Sequence, residues 1–175
     1  MRRLAFALSL ILVLAWSGLA AAASMTLNNT PAEVYFSPKG GAQEAIVREI
    51  GKAKSSILVQ AFGFNNASIA KALAEAKKRG VAVAAILDKS NRSEKASVAA
   101  FLKSEGIPVM IDAMHVIAHN KVMVIDSETV ITGSFNFTKG AEESNAENLL
   151  VIRSKELAKL YSVEWAEHKN HAEVY

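Results

Sequence analysis

The stretch His119-Asn120-Lys121-Val122-Met123-Val124-Ile125-Asp126-Ser127-Glu128-Thr129-Val130-Ile131-Thr132-Gly133-Ser134-Phe135-Asn136 sets two β-rich runs on either side of a polar turn. Residues 122–125 and 129–132 are dominated by β-branched and other apolar side chains, and Asp126-Ser127-Glu128 carries turn chemistry, so the stretch reads as a hairpin. A third β run, Asn148-Leu149-Leu150-Val151-Ile152, follows with no helical pattern between. Without a crossover helix, the three runs are expected to lie antiparallel within one sheet.

Toward the N-terminus the rhythm differs. Val34-Tyr35-Phe36 reads as a strand, Pro38 and Gly40-Gly41 as a turn, and Ile46, Ile50 and Ala53 as the apolar stripe of a helix. Residues 57–64 read as a second strand. Asn65-Asn66 then offers an N-cap to a helix striped by Ile69, Leu73 and Ala76, with Gly80 as its left-handed stop. Residues 81–87 make a buried strand, Val98, Phe101 and Leu102 mark another helix ending at Gly106, and residues 108–111 begin the next strand. A last helix is expected from Ser154 to about His168, with Leu157, Leu160, Tyr161 and Trp165 on its stripe. The β-α-β-α-β alternation followed by successive β runs predicts an α/β domain, with a mixed, largely parallel sheet flanked by helices on both faces.

Arg2 and Arg3 precede an apolar run over 4–16 and then Gly18-Leu19-Ala20-Ala21-Ala22-Ala23, the plan of a secretory signal peptide over 1–23. The strongly apolar part is shorter than the roughly 20 residues of a membrane-spanning helix, so cleavage after Ala22 or Ala23 is favoured over a retained anchor. The mature part, 24–175, fits a single domain without internal repeat or linker. Losing Arg2 and Arg3 lowers the formal net charge of +3 by two, so global charge says little about a polyanionic partner. With no cysteine there is no disulfide framework and no thiolate metal site, and a periplasmic or secreted location is expected.

The informative anomaly is polar residues where strands should be apolar. Side chains alternate along a strand, so His119 and Lys121 share a face while Asp126 points to the other. By the same period Ser134 pairs with Asn136, and Asn145 with Glu147. If these strands are neighbours, an imidazole, an ammonium, a hydroxyl, an amide and a carboxylate converge. Lys121 beside His119 repels a divalent cation and attracts phosphate, which Lys121, Ser134 and Asn136 can bind by donating hydrogen bonds. His119 is then free to act as nucleophile, and Glu147 can orient its ring. No metal and no cofactor is needed by such a site.

The spacing His119-x-Lys121-x4-Asp126-x6-Gly133-Ser134-x-Asn136 resembles the full signature of the phospholipase D superfamily, and the chain is most similar to its short bacterial periplasmic endonucleases. The resemblance implies that His119 attacks phosphorus to form a phosphohistidine, that Lys121 and Asn136 bind phosphate oxygens with Ser134 assisting, and that Glu147 supports the histidine. Asp126 belongs to the motif, but the strand argument gives it a structural role at the hairpin. Large members of the superfamily carry two copies of the motif and this sequence carries one. The acid for the leaving group is therefore expected from a second subunit, giving a homodimer with a composite site. The expected substrate is DNA, with RNA beside it. Phosphatidyl head groups form the alternative, and a non-catalytic nucleic-acid-binding protein the third reading.

Other features receive plainer readings. Phe62, Phe64, Met114 and Phe137 could form an apolar surface for lipid but are ordinary strand residues. His115 reads as a loop or pocket-rim residue, and His168 and His171 as favouring a helix C-terminus. Lys39-Gly40-Gly41 is a weak phosphate cradle, and Lys77-Lys78-Arg79 a solvated helix face. Lys89, Arg92 and Lys95 are the candidate contacts to a polyanion backbone.

Overall fold

A computed structural model describes residues 23–175; the expected leader, apart from its last residue, lies outside them. The N-terminal half gives β1 (Ala32–Ser37), α1 (Ala42–Lys52), β2 (Ser56–Ala61), α2 (Ala67–Lys78) and β3 (Ala82–Asp88). A 3₁₀ turn over Lys89–Arg92 leads to α3 (Ala99–Ser104) and β4 (Val109–Asp112). The C-terminal half gives β5 (Lys121–Ile125), β6 (Thr129–Gly133), α4 (Lys139–Glu143), β7 (Glu147–Arg153), α5 (Lys155–His171) and β8 (Glu173–Val174).

Local chemistry explains the boundaries. The Asn66 side chain accepts from the backbone N–H of Ser68 and Ile69 and so caps α2, while Gly80 takes up φ 93° just past its end. Ser154 caps α5 by accepting from Leu157 N–H. The expected strand over 57–64 stops at Ala61, because the chain leaves the ladder to bring Phe64 beside Phe137.

The described residues form one eight-stranded sheet in the order β1-β7-β6-β5-β2-β3-β4-β8. The α/β class and the mixed sheet are as expected, but parallel pairing is confined to β2–β3 and β3–β4, so the sheet is not largely parallel. All other neighbours pair antiparallel. The neighbours that pair parallel are the ones joined by the helical crossovers through α2 and α3, which return the next strand to the adjacent place in the same direction. β6 and β7 do not follow one another directly, as the sequence pattern suggests, because the five-residue α4, capped by Thr138, intervenes.

Both faces are covered. Ile46 and Ile50 of α1, Ile69 and Leu73 of α2 and Leu102 of α3 pack on Ile57, Val59, Met123, Ile125 and Ile131. On the opposite face Val122, Val124 and Val130 meet Ala158, Leu157 and Tyr161 of α5, and the Trp165 indole donates to Val59 O at 2.9 Å. This alternation places Lys121, in phase with Met123 and Ile125, on the α1–α2 side at the very start of β5.

Candidate active site

The antiparallel order brings four strand termini to one end of the sheet. Met123 lies opposite Ile131, which continues to Lys121 opposite Gly133; Gly133 pairs with Leu149, and Glu147 with Ser37. The carboxyl ends of the parallel strands meet there too, the end of an α/β sheet where ligands bind. His119, Lys121, Gly133, Ser134, Asn136 and Glu147 line one open cleft of about 470 Å³ at this place. The five side chains that the sequence pattern singled out as convergent are together.

His119 is exposed, its ring set edge-on against Phe62 with centroids 4.8 Å apart. Lys121 is only 8% exposed; its Nζ donates to His119 O at 2.8 Å and stands 5.3 Å over the Phe62 ring. Burial pushes this ammonium below the usual lysine range, while the Glu147 carboxylate acts in the opposite sense. A buried cation with one protein acceptor retains donor capacity for an anion that enters the cleft. Phe62, read from sequence only as a generic apolar residue, is thus the wall that orients both groups.

Ser134 is held by Asn148, whose backbone N–H and side-chain amide donate to Ser134 Oγ at 3.0 and 3.3 Å. With its acceptor sites occupied, the hydroxyl keeps its own proton for a ligand. Asn148 was not legible as a site residue, since it reads as the first residue of a strand. Asn136 Oδ1 is buried and has no partner among the described residues, and the amide's Nδ2 is the group able to donate to an anion. The expected bond from Glu147 to the His119 ring is not among the contacts of the single chain; Glu147 Oε1 instead accepts from Asn145 Nδ2 at 3.1 Å.

Gly133 explains the glycine of the motif. Ser134 and Phe135 N–H both donate to Asn148 O, at 3.1 and 3.2 Å, which draws β7 against the glycine. A Cβ there would stand 2.3 Å from Asn148 O, on a backbone with φ 145°. Gly133→Ala is expected to cost about 2–4 kcal/mol and to displace Ser134, read as a lower thermal midpoint together with lost activity.

Asp126 lies outside the cleft, at the other end of β5. Its carboxylate accepts from the backbone N–H of Lys54, Ser55 and Ser56 and from the Ser55 hydroxyl, at 2.7–3.0 Å for the shortest contact to each. It clamps the β5–β6 turn to the loop between α1 and β2. Burial pushes its pKa up, but the hydrogen bonds from Ser56, Ser55 and Lys54 outweigh that and hold it below the usual carboxylate range. Its stabilisation is therefore complete above the unfolded-state value near 3.9 and is lost as pH falls through the lower folded value. Asp126→Ala is expected to lose about 1–3 kcal/mol at pH 7, with a variant-to-parent difference that shrinks toward pH 2 in denaturant titrations.

Several plainer readings change. Phe64 and Phe137 are fully buried against each other and cannot face lipid, whereas Met114, Val116 and Ile117 are exposed in the loop leading to His119. The N-terminus of α1 is no open phosphate cradle, because Glu142 Oε2 accepts from Gln43 N–H at 3.0 Å and Glu142 O from Lys39 N–H. Lys89 donates to His115 O and Arg92 pairs with Glu173, which commits two of the three cations proposed for a polyanion. His168 and His171 do lie in the last turns of α5, but their rings turn inward to Asp112, which His115 also reaches.

Residues 46–169 match the family described as cardiolipin synthase, PLD-like domain. The chain is 43% identical over 143 residues to a phospholipase D of Rickettsia conorii, spanning 82% of this chain and 72% of that protein. Among solved structures it is similar to the phospholipase D family member Nuc from Salmonella typhimurium, with TM-score 0.80 and 40% identity over 83% of this chain and 98% of that one. NucT from Helicobacter pylori, at 23% identity and TM-score 0.78 over 83% and 99% of the two chains, shares the fold.

Proposed function

The chain belongs to the phospholipase D superfamily, and from that premise we propose that this phosphodiesterase is an exported, sequence-tolerant endonuclease that hydrolyses DNA, with RNA as a second substrate. The observation that carries the proposal is the cleft itself: a nucleophilic imidazole, a buried ammonium, a hydroxyl and an amide around space for one phosphate, with Glu147 as the one carboxylate. Every lining residue but Gly133 carries a polar or charged group and the cleft is open, which suits a backbone phosphate of a long polyanion. The signal-peptide pattern of 1–23 supports delivery to the periplasm or beyond.

In this mechanism a ring nitrogen of His119 attacks phosphorus and the bond from phosphorus to the leaving sugar oxygen breaks. The leaving oxygen takes a proton from the imidazolium of the partner's His119. Water then attacks the phosphohistidine, giving its proton back to the partner's His119, and the phosphorus–nitrogen bond breaks. Lys121, Ser134 and Asn136 donate to the non-bridging oxygens as charge builds, and Glu147 orients the imidazole across the assembled site. The single motif and the exposure of His119 support a two-fold dimer as the active form.

A second reading, hydrolysis of phosphatidyl head groups, is favoured by one observation: Met114, Val116 and Ile117 stand exposed beside the residue that would do the chemistry. Supercoiled plasmid and phosphatidylcholine vesicles, each incubated with the protein in excess EDTA at room temperature, separate the readings. The endonuclease produces relaxed circles without added metal. Choline release with intact plasmid would move the assignment to lipid, and retarded but uncut plasmid would leave a binding protein.

A further inference from the structure

Three histidines that the cleft does not use converge on one buried carboxylate. Asp112, at the end of β4, is fully buried, and its Oδ1 accepts the backbone N–H of Met114 at 3.1 Å and of His115 at 3.3 Å. That turn folds His115 back over the carboxylate. From the last turns of α5, His168 and His171 arrive at i,i+3 spacing, which places them on one helical face. The result is that His168 Nδ1, His115 Nδ1 and His171 Nε2 stand 2.7, 2.9 and 3.3 Å from the same oxygen, Asp112 Oδ2.

Hydrogen bonding alone accounts poorly for this packing. A carboxylate oxygen offers two lone pairs; Oδ1 is filled by two backbone donors, and Oδ2 would have to take three ring N–H groups. The rings crowd as well, with centroids 4.9–5.3 Å apart. A cation at the centre reverses the problem, since three neutral imidazoles and one carboxylate then all point lone pairs at it. The four ligand atoms lie within 4.8 Å of one another, and a tetrahedral ion with bonds of about 2.0–2.1 Å needs shifts on the order of an ångström to be seated.

A second feature belongs to metal sites in particular. The other ring nitrogen of His168, Nε2, stands 3.2 Å from Glu164 Oε1, one helical turn back. A ligating histidine whose far N–H is held by a carboxylate has its tautomer and ring plane fixed for coordination.

We infer that Asp112, His115, His168 and His171 form a zinc site, with Glu164 as the carboxylate that orients His168. Three imidazoles and one carboxylate in a tetrahedral arrangement select zinc, and four protein ligands close its shell, so the ion is structural. It joins the last turn of α5 to the end of β4 and pins the loop that runs from Asp112 to His119. The far end of that loop is tied separately, by Ala118 N–H donating to Asp88 Oδ2 at 2.8 Å. In a chain without cysteine such a clip replaces a disulfide in restraining the C-terminal helix.

The test uses the protein expressed from the full sequence and purified through a tag free of histidine. Zinc chloride titrated against a fluorescent chelator, with native mass spectrometry for stoichiometry, is expected to give one zinc per chain. His115→Ala and His171→Ala should each weaken binding at least about tenfold, and Glu164→Gln by about tenfold. His115 is 46% exposed, so its substitution leaves the core intact, which circular dichroism checks. Saturating zinc should raise the thermal midpoint by about 5 °C or more in the parent and not in the histidine variants. Stoichiometry well below one zinc per chain, affinity unchanged by both histidine substitutions, or copper or nickel held where zinc is not would each overturn the assignment. None of these readouts depends on cleavage, so they stand or fall apart from the endonuclease proposal.

Discussion

His119→Ala is expected to lower phosphodiester cleavage by roughly 10⁴-fold or more without lowering the thermal midpoint. The two halves of that expectation have separate causes. Structurally, the His119 ring is exposed and touches chiefly Phe62, so its removal opens no cavity. Chemically, the same residue serves as nucleophile in one subunit and as acid in its partner, so a homodimer of the variant loses both groups at once. Mixed dimers sharpen the point. A dimer with one altered subunit lacks either nucleophile or acid, so an equal mixture after subunit exchange should retain only roughly a quarter of the parent activity. Activity linear in the parent fraction would mean that each chain carries a complete site.

Lys121→Met should cost about 10²–10³-fold in kcat/KM, mostly in kcat. Methionine keeps the buried stem and its packing against Phe62 but removes the ammonium that faces developing phosphate charge. Burial disfavours the charged form of Lys121, so the neutral side chain should fold at least as stably as the parent. A fall in activity with an unchanged or higher thermal midpoint separates this role from a structural one. If KM alone rises, Lys121 contributes only to binding of the ground state, and phosphate charge is stabilised by Ser134 and Asn136.

Much of this molecule is legible in its sequence because its signals are periodic. Ile69, Leu73 and Ala76 announce α2, and the period of two pairs His119 with Lys121 and Ser134 with Asn136, pairs that the antiparallel docking of β5 on β6 then brings to one cleft. Asp126 does hold the hairpin, but it is kept from the cleft by lying past the far end of β5, in the turn, and not by the alternation of side chains. Strand direction is less legible, since pattern alone does not say that β1 pairs antiparallel with β7 at the sheet edge. The short α4 is obscured because five residues carry no stripe, although Thr138 gives its cap. Asp112 and the three histidines escape for a different reason. Each half, Asp112-x-x-His115 and His168-x-x-His171, has an ordinary local reading, and only the docking of α5 on β4 joins them.

The central claim is a covalent bond between His119 and substrate phosphorus. Turnover of a short oligonucleotide, quenched in alkali within milliseconds and mapped by peptide mass spectrometry, tests it most directly. A phosphoryl-nucleotide adduct on His119, absent from His119→Ala, is the expected result. An adduct on any other residue, or cleavage at full rate with no adduct above that of His119→Ala, would contradict it and point to direct attack by water.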